Sequence, residues 1–61
     1  MSIQQETMNQ ISDWVKIRRE KGITQEEMSK MSGVSRSNIA NFERHRVNNM
    51  YLFNFYKMMF D

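Results

Sequence analysis

The chain has no cysteine and no proline, and only two glycines among its 61 residues. Without cysteine there is no disulfide, no thiolate zinc cluster and no thiol nucleophile. With glycine only at Gly22 and Gly33, the many tight turns of a strand-rich fold lack their usual residues, so helix is expected to dominate. A run of about 18 apolar residues is also missing, which excludes a membrane-spanning helix, and Met1 to Gln10 does not read as a secretory leader. The expectation is a cytoplasmic protein with no metal, no cofactor and no small-molecule ligand.

Enzyme chemistry has little to work with. There is one histidine, His45, and Glu26 and Glu27 sit where helix caps are needed. His45 and Glu43 are two residues apart, and residues at that spacing do not face each other on a helix. No nucleophile and base remain to be paired, so no catalytic residue is expected.

What is present fits one small domain spanning 1–61. Composition is 39% hydrophobic and 26% charged, which is globular rather than disordered. A chain this short buries only about 60% of the surface it exposes when unfolded, so oligomerisation would help it. The net charge of +2 says less than its distribution. Residues 16–21 sum to +3, residues 36–57 sum to +3 and the rest to −4. Basic charge is clustered, as an anionic partner favours.

Four helical segments follow from caps and periodicity. Ser2 with Gln5 forms a possible capping box for a first helix running to about Glu20, with Gly22 as a left-handed stop. Met8, Ile11, Trp14, Val15 and Ile17 give it one apolar face, which puts Trp14 in the core rather than against a base. Thr24 and Glu27 form a second capping box, and Met28 and Met31 give the second helix its apolar edge before Ser32 and Gly33 end it. Ser35 caps a third helix with Ile39 and Phe42 inward and Ser37, Asn41 and Arg44 outward, Ala40 beside them. A fourth, Met50 to Phe60, is capped by Asn48 or Asn49.

The joint pattern is specific. Ser29 is small where a third helix must approach the second, Gly33 is free to take positive φ in the turn, and Met28, Val34, Ile39 and Phe42 lock the pair. The string Arg18-x-x-x-Gly22-Ile-Thr-Gln-Glu-Glu-Met28-Ser29, then Gly33-Val-Ser35, then Ile39-Ala-x-Phe42-Glu43, resembles the lambda repressor and Cro type helix-turn-helix family, also called the xenobiotic-response-element family. The resemblance covers about Ile11 to Met59, with the helix-turn-helix unit at about 24–44. It implies an all-α, lambda-repressor-like domain of four helices, truncated from five because the chain stops at Asp61.

The resemblance also implies a function and residues. The family's habit is a homodimeric repressor on a palindromic operator, in a bacterial or phage-infected cell, with the helix at 35–44 in the major groove of double-stranded DNA. Arg36, Ser37, Ala40 and Asn41 match positions that meet base edges. Arginine grips guanine, asparagine grips adenine and alanine touches a thymine methyl. Gln25 matches a phosphate ligand at the start of the second helix, where the dipole favours an anion. Arg44, Arg46, Asn48 and Asn49 fall where the family touches backbone. Arg18 and Glu43 match a structural ion pair. Family members typically carry glycine where this chain has His45, and often proline where it has Asn49. Either the turn survives with a left-handed His45, or the third helix runs longer.

The fourth helix has more apolar surface than one core stripe can hide, so Phe53, Phe55, Tyr56, Met59 and Phe60 are expected at a dimer seam. A monomer that turns every aromatic inward is the alternative. In function, the rival reading is a protein-binding module, an antitoxin or anti-repressor, that uses this aromatic helix.

Overall fold

The computed structural model describes residues 4–61, which form α1 (Gln5–Glu20), α2 (Gln25–Ser32), α3 (Arg36–Glu43) and α4 (Met50–Phe60). Among the described residues there is no strand. Most of the boundaries have a local cause. The expected Ser2 cap lies outside the described residues; α1 starts after Gln4, whose side chain makes no capping bond. It ends in a Schellman turn, where Gly22 N–H donates to Arg19 O and Ile23 N–H to Arg18 O, with Gly22 at φ +74°. For α2 the capping box is complete: Thr24 Oγ1 accepts from Glu27 N at 3.1 Å and Glu27 Oε1 accepts from Thr24 N at 2.9 Å. Ser35 Oγ caps α3 by accepting from Asn38 N, and Asn49 rather than Asn48 caps α4 through Leu52 N at 3.1 Å.

The turn after α3 keeps its left-handed residue. His45 has φ +63°, the one positive φ among described residues other than glycine. Its N–H donates to Phe42 O while Arg46 N–H donates to Asn41 O, the same paired bonds that close α1. Helix 3 therefore stops at Glu43 instead of running on, and the chain turns toward α4.

Every helix contributes to one core: Ile11 and Trp14 from α1, Met28 from α2, Ile39 and Phe42 from α3, Leu52 and Tyr56 from α4. Trp14 meets Phe53 edge-on at 5.0 Å, and Tyr56 lies between Phe42 and Phe60. Burying rings in such offset contacts adds about 0.5–1.5 kcal/mol per pair beyond area burial. Met31 departs from expectation and is half exposed. The buried edge of α2 is centred on Met28 and Ser32, four residues apart, which leaves Met31 at its rim.

The expected dimer seam also needs correction. Tyr56 is 0% exposed and belongs to the core, so it is not available to a partner. Phe53, Phe55, Met59 and Phe60 are half-buried against the same core, because a four-helix domain this small draws most of α4 inward. The apolar side chains that α4 leaves in water are Met50, Tyr51 and, at 82% exposure, Met58.

A non-glycine residue in the left-handed region carries a local cost that glycine avoids. His45→Gly is therefore expected to stabilise the domain by about 1 kcal/mol, a rise of roughly 4–8 °C in melting temperature for a chain of this size. Thermal melts followed by circular dichroism check this. An unchanged or lower midpoint would show that the contact of His45 Nε2 with Ser12 Oγ outweighs the backbone cost.

Candidate nucleic-acid interface

The α2–turn–α3 unit is fixed by side chains as well as by packing. Gly33 takes φ +75°, and Ser29, small enough to let α3 approach, also donates its hydroxyl to Val34 O at 2.6 Å. The end of α2 is held from α4, where the Tyr51 hydroxyl donates to Ser32 O at 2.6 Å. These bonds set the angle at which α3 is presented.

Behind α3 lies a buried charge. Arg18 meets Glu43 in a bidentate pair, Nε to Oε2 at 2.8 Å and Nη2 to Oε1 at 3.0 Å, with side-chain exposures of 6% and 4%. Such a pair is worth having only if the remaining hydrogen-bond capacity is met. Here it is. Arg18 Nη1 donates to Ile23 O, Gln25 Nε2 donates to Glu43 Oε1 at 3.0 Å, and the Tyr56 hydroxyl donates to Glu43 Oε2 at 2.6 Å. Four donors on two oxygens fill the acceptor sites of a carboxylate. Burial first, then the hydrogen bond and charge of Glu43, push the Tyr56 hydroxyl far above the usual tyrosine range, with Arg18 acting the other way.

On its solvent side α3 is polar and open. Arg36 and Ser37 are exposed at its start, Ala40 and Asn41 are half-buried beside them, and Arg44 is exposed at its end. Among the described residues the side chains of Arg36, Ser37, Asn41, Arg44 and Arg46 make no internal hydrogen bond or ion pair. Arg46 and Asn48 lie exposed in the following turn, whereas Asn49 is half-buried and uses its Oδ1 as the α4 cap. Gln25 sits at the first position of α2, half-buried, with one amide hydrogen given to Glu43. Glu43 is neutralised by Arg18 and, among the described residues, no carboxylate lies within salt-bridge distance of Arg36, Arg44 or Arg46, so this surface is locally positive.

Two features of the site were not read in the sequence. The first is the pair of tyrosine hydroxyls, one closing the Glu43 cluster and one holding α2. A signal existed, since a hydroxyl on an otherwise apolar helix needs a partner when buried. The second is Gln25 as an internal donor, for which no spacing rule gives notice.

A capped pair of short helices, the second with an unpaired polar and basic outer face, defines a helix-turn-helix DNA-binding domain. A helix-turn-helix family model matches residues 15–48, more than half the chain, from the last turns of α1 into the turn before α4. The chain belongs to the Cro/C1-type helix-turn-helix family and is a DNA-binding transcription regulator, a class that is generally non-enzymatic. No curated protein and no solved structure gives a significant match. Among the described residues no helix is long and apolar enough to cross a membrane, and no cluster of histidine and carboxylate side chains suits a metal ion.

Removing one partner of a buried ion pair strands the other. Arg18→Met should cost about 3–5 kcal/mol, close to the whole stability of a domain this small, so the variant should be largely unfolded at room temperature. Urea or thermal melts against the unmutated protein measure it, and a loss under about 1 kcal/mol would mean that water replaces the guanidinium freely.

The Tyr56 hydroxyl makes a second, pH-dependent statement. Its folded ionisation point lies above the unfolded value of about 10, so its contribution is fully present below that pH and declines as pH rises past it, where only the unfolded chain ionises. Melting temperature should fall from about pH 10 upward, and Tyr56→Phe should flatten that fall while lowering stability at neutral pH. A fall of equal steepness in both proteins would assign the alkaline loss to other groups.

Proposed function

We propose that this chain is a Cro-type repressor that acts by occupancy, binding a palindromic operator as a homodimer with α3 in the major groove. The observation that carries the reading is the outer face of α3, an open row of Arg36, Ser37, Ala40 and Asn41 on a helix whose inner side is locked to the core. Arg36 would pair with the O6 and N7 of a guanine, Asn41 with the N6 and N7 of an adenine, and Ala40 would meet a thymine methyl, with Ser37 adaptable to either base edge. These are hydrogen-bond patterns that only the major groove distinguishes.

Backbone contact falls to Gln25 at the start of α2 and to Arg44, Arg46, Asn48 and Asn49 around the end of α3. The amide nitrogen of Asn49 remains free to donate, since capping uses only its oxygen. In this reading the operator lies in the nucleoid of a bacterial or phage-infected cell, and no small molecule is required for binding.

For the homodimer, the support comes from α4. At 100° per residue, Tyr51, Phe55 and Met58 fall on one stripe, apart from the core-facing Leu52 and Tyr56. Tyr51 and Phe55 stack with ring centres 6.3 Å apart, and both Tyr51 and Met58 are more than half exposed. Pairing two such stripes about a two-fold axis would hide them and hold two copies of α3 about 34 Å apart, one turn of DNA. The proposed seam is thus Tyr51, Phe55 and Met58 with Met59 at its edge; Tyr56 is in the core, and Phe53 and Phe60 fall on the far side of the core-facing residues.

Selection of bound duplexes from a random pool tests partner, symmetry and spacing together. A palindrome with half-sites one turn apart is the expected product. On that operator Arg36→Ala and Asn41→Ala should each cost about 1–3 kcal/mol while leaving binding to random duplex unchanged. Equal losses on both DNAs would move these residues to the backbone. An asymmetric single site would remove the dimer, and no enrichment at all would favour a protein partner for the α4 stripe.

A further inference from the structure

A DNA phosphate only accepts hydrogen bonds, whereas the side-chain amide of glutamine has a donor end and an acceptor end of nearly the same shape. A glutamine is therefore a good phosphate ligand only if something selects its orientation. In Gln25 the selection is made by a neighbour that cannot donate. The carboxylate of Glu43 faces the amide, so the atom 3.0 Å from Oε1 must be Nε2, and the second hydrogen on that nitrogen stays free.

Glu43 can impose this only if it does not itself swing. Arg18 grips it from α1 in a bidentate pair and is itself tied to Ile23 O. The third point of attachment comes from a different helix and a rigid side chain. Tyr56 Oη donates to Oε2 at 2.6 Å, leaving Oε1 to Gln25, and its ring is clasped between Phe42 and Phe60. Its ionisation is pushed far up, so the hydroxyl remains a donor throughout the physiological range.

We propose that Tyr56 is a positioning residue for the DNA backbone contact: acting through Glu43, its hydroxyl fixes the direction in which Gln25 donates to a phosphate at the start of α2. The inference rests on the reading of Gln25 as a backbone ligand. A chain of three side chains then runs from α4 through α3 to α2, on the side of α4 away from the Tyr51, Phe55 and Met58 stripe. Because a phosphate contact carries no sequence information, the effect of Tyr56 must be the same on every DNA sequence.

A double-mutant cycle reads this directly. Tyr56→Phe, Gln25→Ala and the double variant are compared with the unmutated protein for binding to a random-sequence 20-base-pair duplex and to a duplex selected from a random pool, well below each melting midpoint. Tyr56→Phe should weaken both duplexes by one factor, about three- to tenfold, and should have no further effect once Gln25 is alanine. Binding by Tyr56→Phe equal to that of the unmutated protein would overturn the proposal and leave the hydroxyl with a role in stability alone. An undiminished effect of Tyr56→Phe in the Gln25→Ala background would overturn it too, by showing another route. If Gln25→Ala binds normally, the backbone role of Gln25 fails and the proposal with it, while failure of the unmutated protein to bind any duplex would remove the DNA-binding function itself. Should Tyr56→Phe not fold, nuclear magnetic resonance of the unmutated protein decides: one Gln25 side-chain N–H should be shifted and slow to exchange, and the other should move when the selected duplex is added. A freely averaged Gln25 amide would overturn the proposal.

Discussion

The carboxylate of Glu43 is the point on which the four helices agree. It belongs to α3 and takes donors from each of the others: Arg18 of α1, Gln25 of α2 and Tyr56 of α4. Burying a charge costs several kcal/mol unless its partners are complete, so the arrangement is stable only when all four helices are in register. A hydrophobic core of Leu, Ile, Phe and Met tolerates small shifts between helices, because one apolar contact is much like another. A saturated ion pair does not. Helix α3 is thus held in register by a polar device, and its outer face is presented at a defined angle.

Local geometry serves the same end. Short helices have little intrinsic stability, and α2 and α3 are eight residues each, well below the length at which a helix persists alone. Side-chain caps at Thr24 and Ser35, together with left-handed residues at Gly33 and His45, define where they begin and stop. At His45 the chain accepts a conformation that costs a side chain something, and the return is a turn that sends the backbone toward α4 rather than extending α3. The basic residues Arg44 and Arg46 flank that turn, so the same bend that ends the helix also spreads positive charge at its end.

Helix α4 serves two faces at once. Leu52 and Tyr56 complete the core, and Phe53, Phe55, Met59 and Phe60 pack around it, so most of an almost wholly apolar helix is used within a single chain. What remains exposed is a narrower stripe than composition suggests. A small domain has a high ratio of surface to volume, and it satisfies its core first from whatever apolar residues it has. Only the surplus is left for a partner.

Much of this was legible beforehand. Thr24 with Glu27, Ser35, Gly22 and Gly33 announce helix ends because caps and left-handed turns depend on neighbours within four residues, and the apolar spacing of Ile11, Trp14, Ile39 and Phe42 announces inward faces because helical periodicity is local too. The outward set of Ser37, Asn41 and Arg44, with Ala40 beside it, followed from the same rule, whereas Arg36 was singled out by the family resemblance. Tertiary structure alone decided what depends on pairs distant in the chain. It drew Tyr56 out of the expected seam and into the charge cluster, kept Met31 at the rim, chose the left-handed His45 over a longer α3, and turned the Gln25 amide toward Glu43, eighteen residues away. A sequence pattern states which side of a helix is apolar, but which polar atom meets which across helices depends on their relative rotation and height, and those are set only when all the helices close on one another.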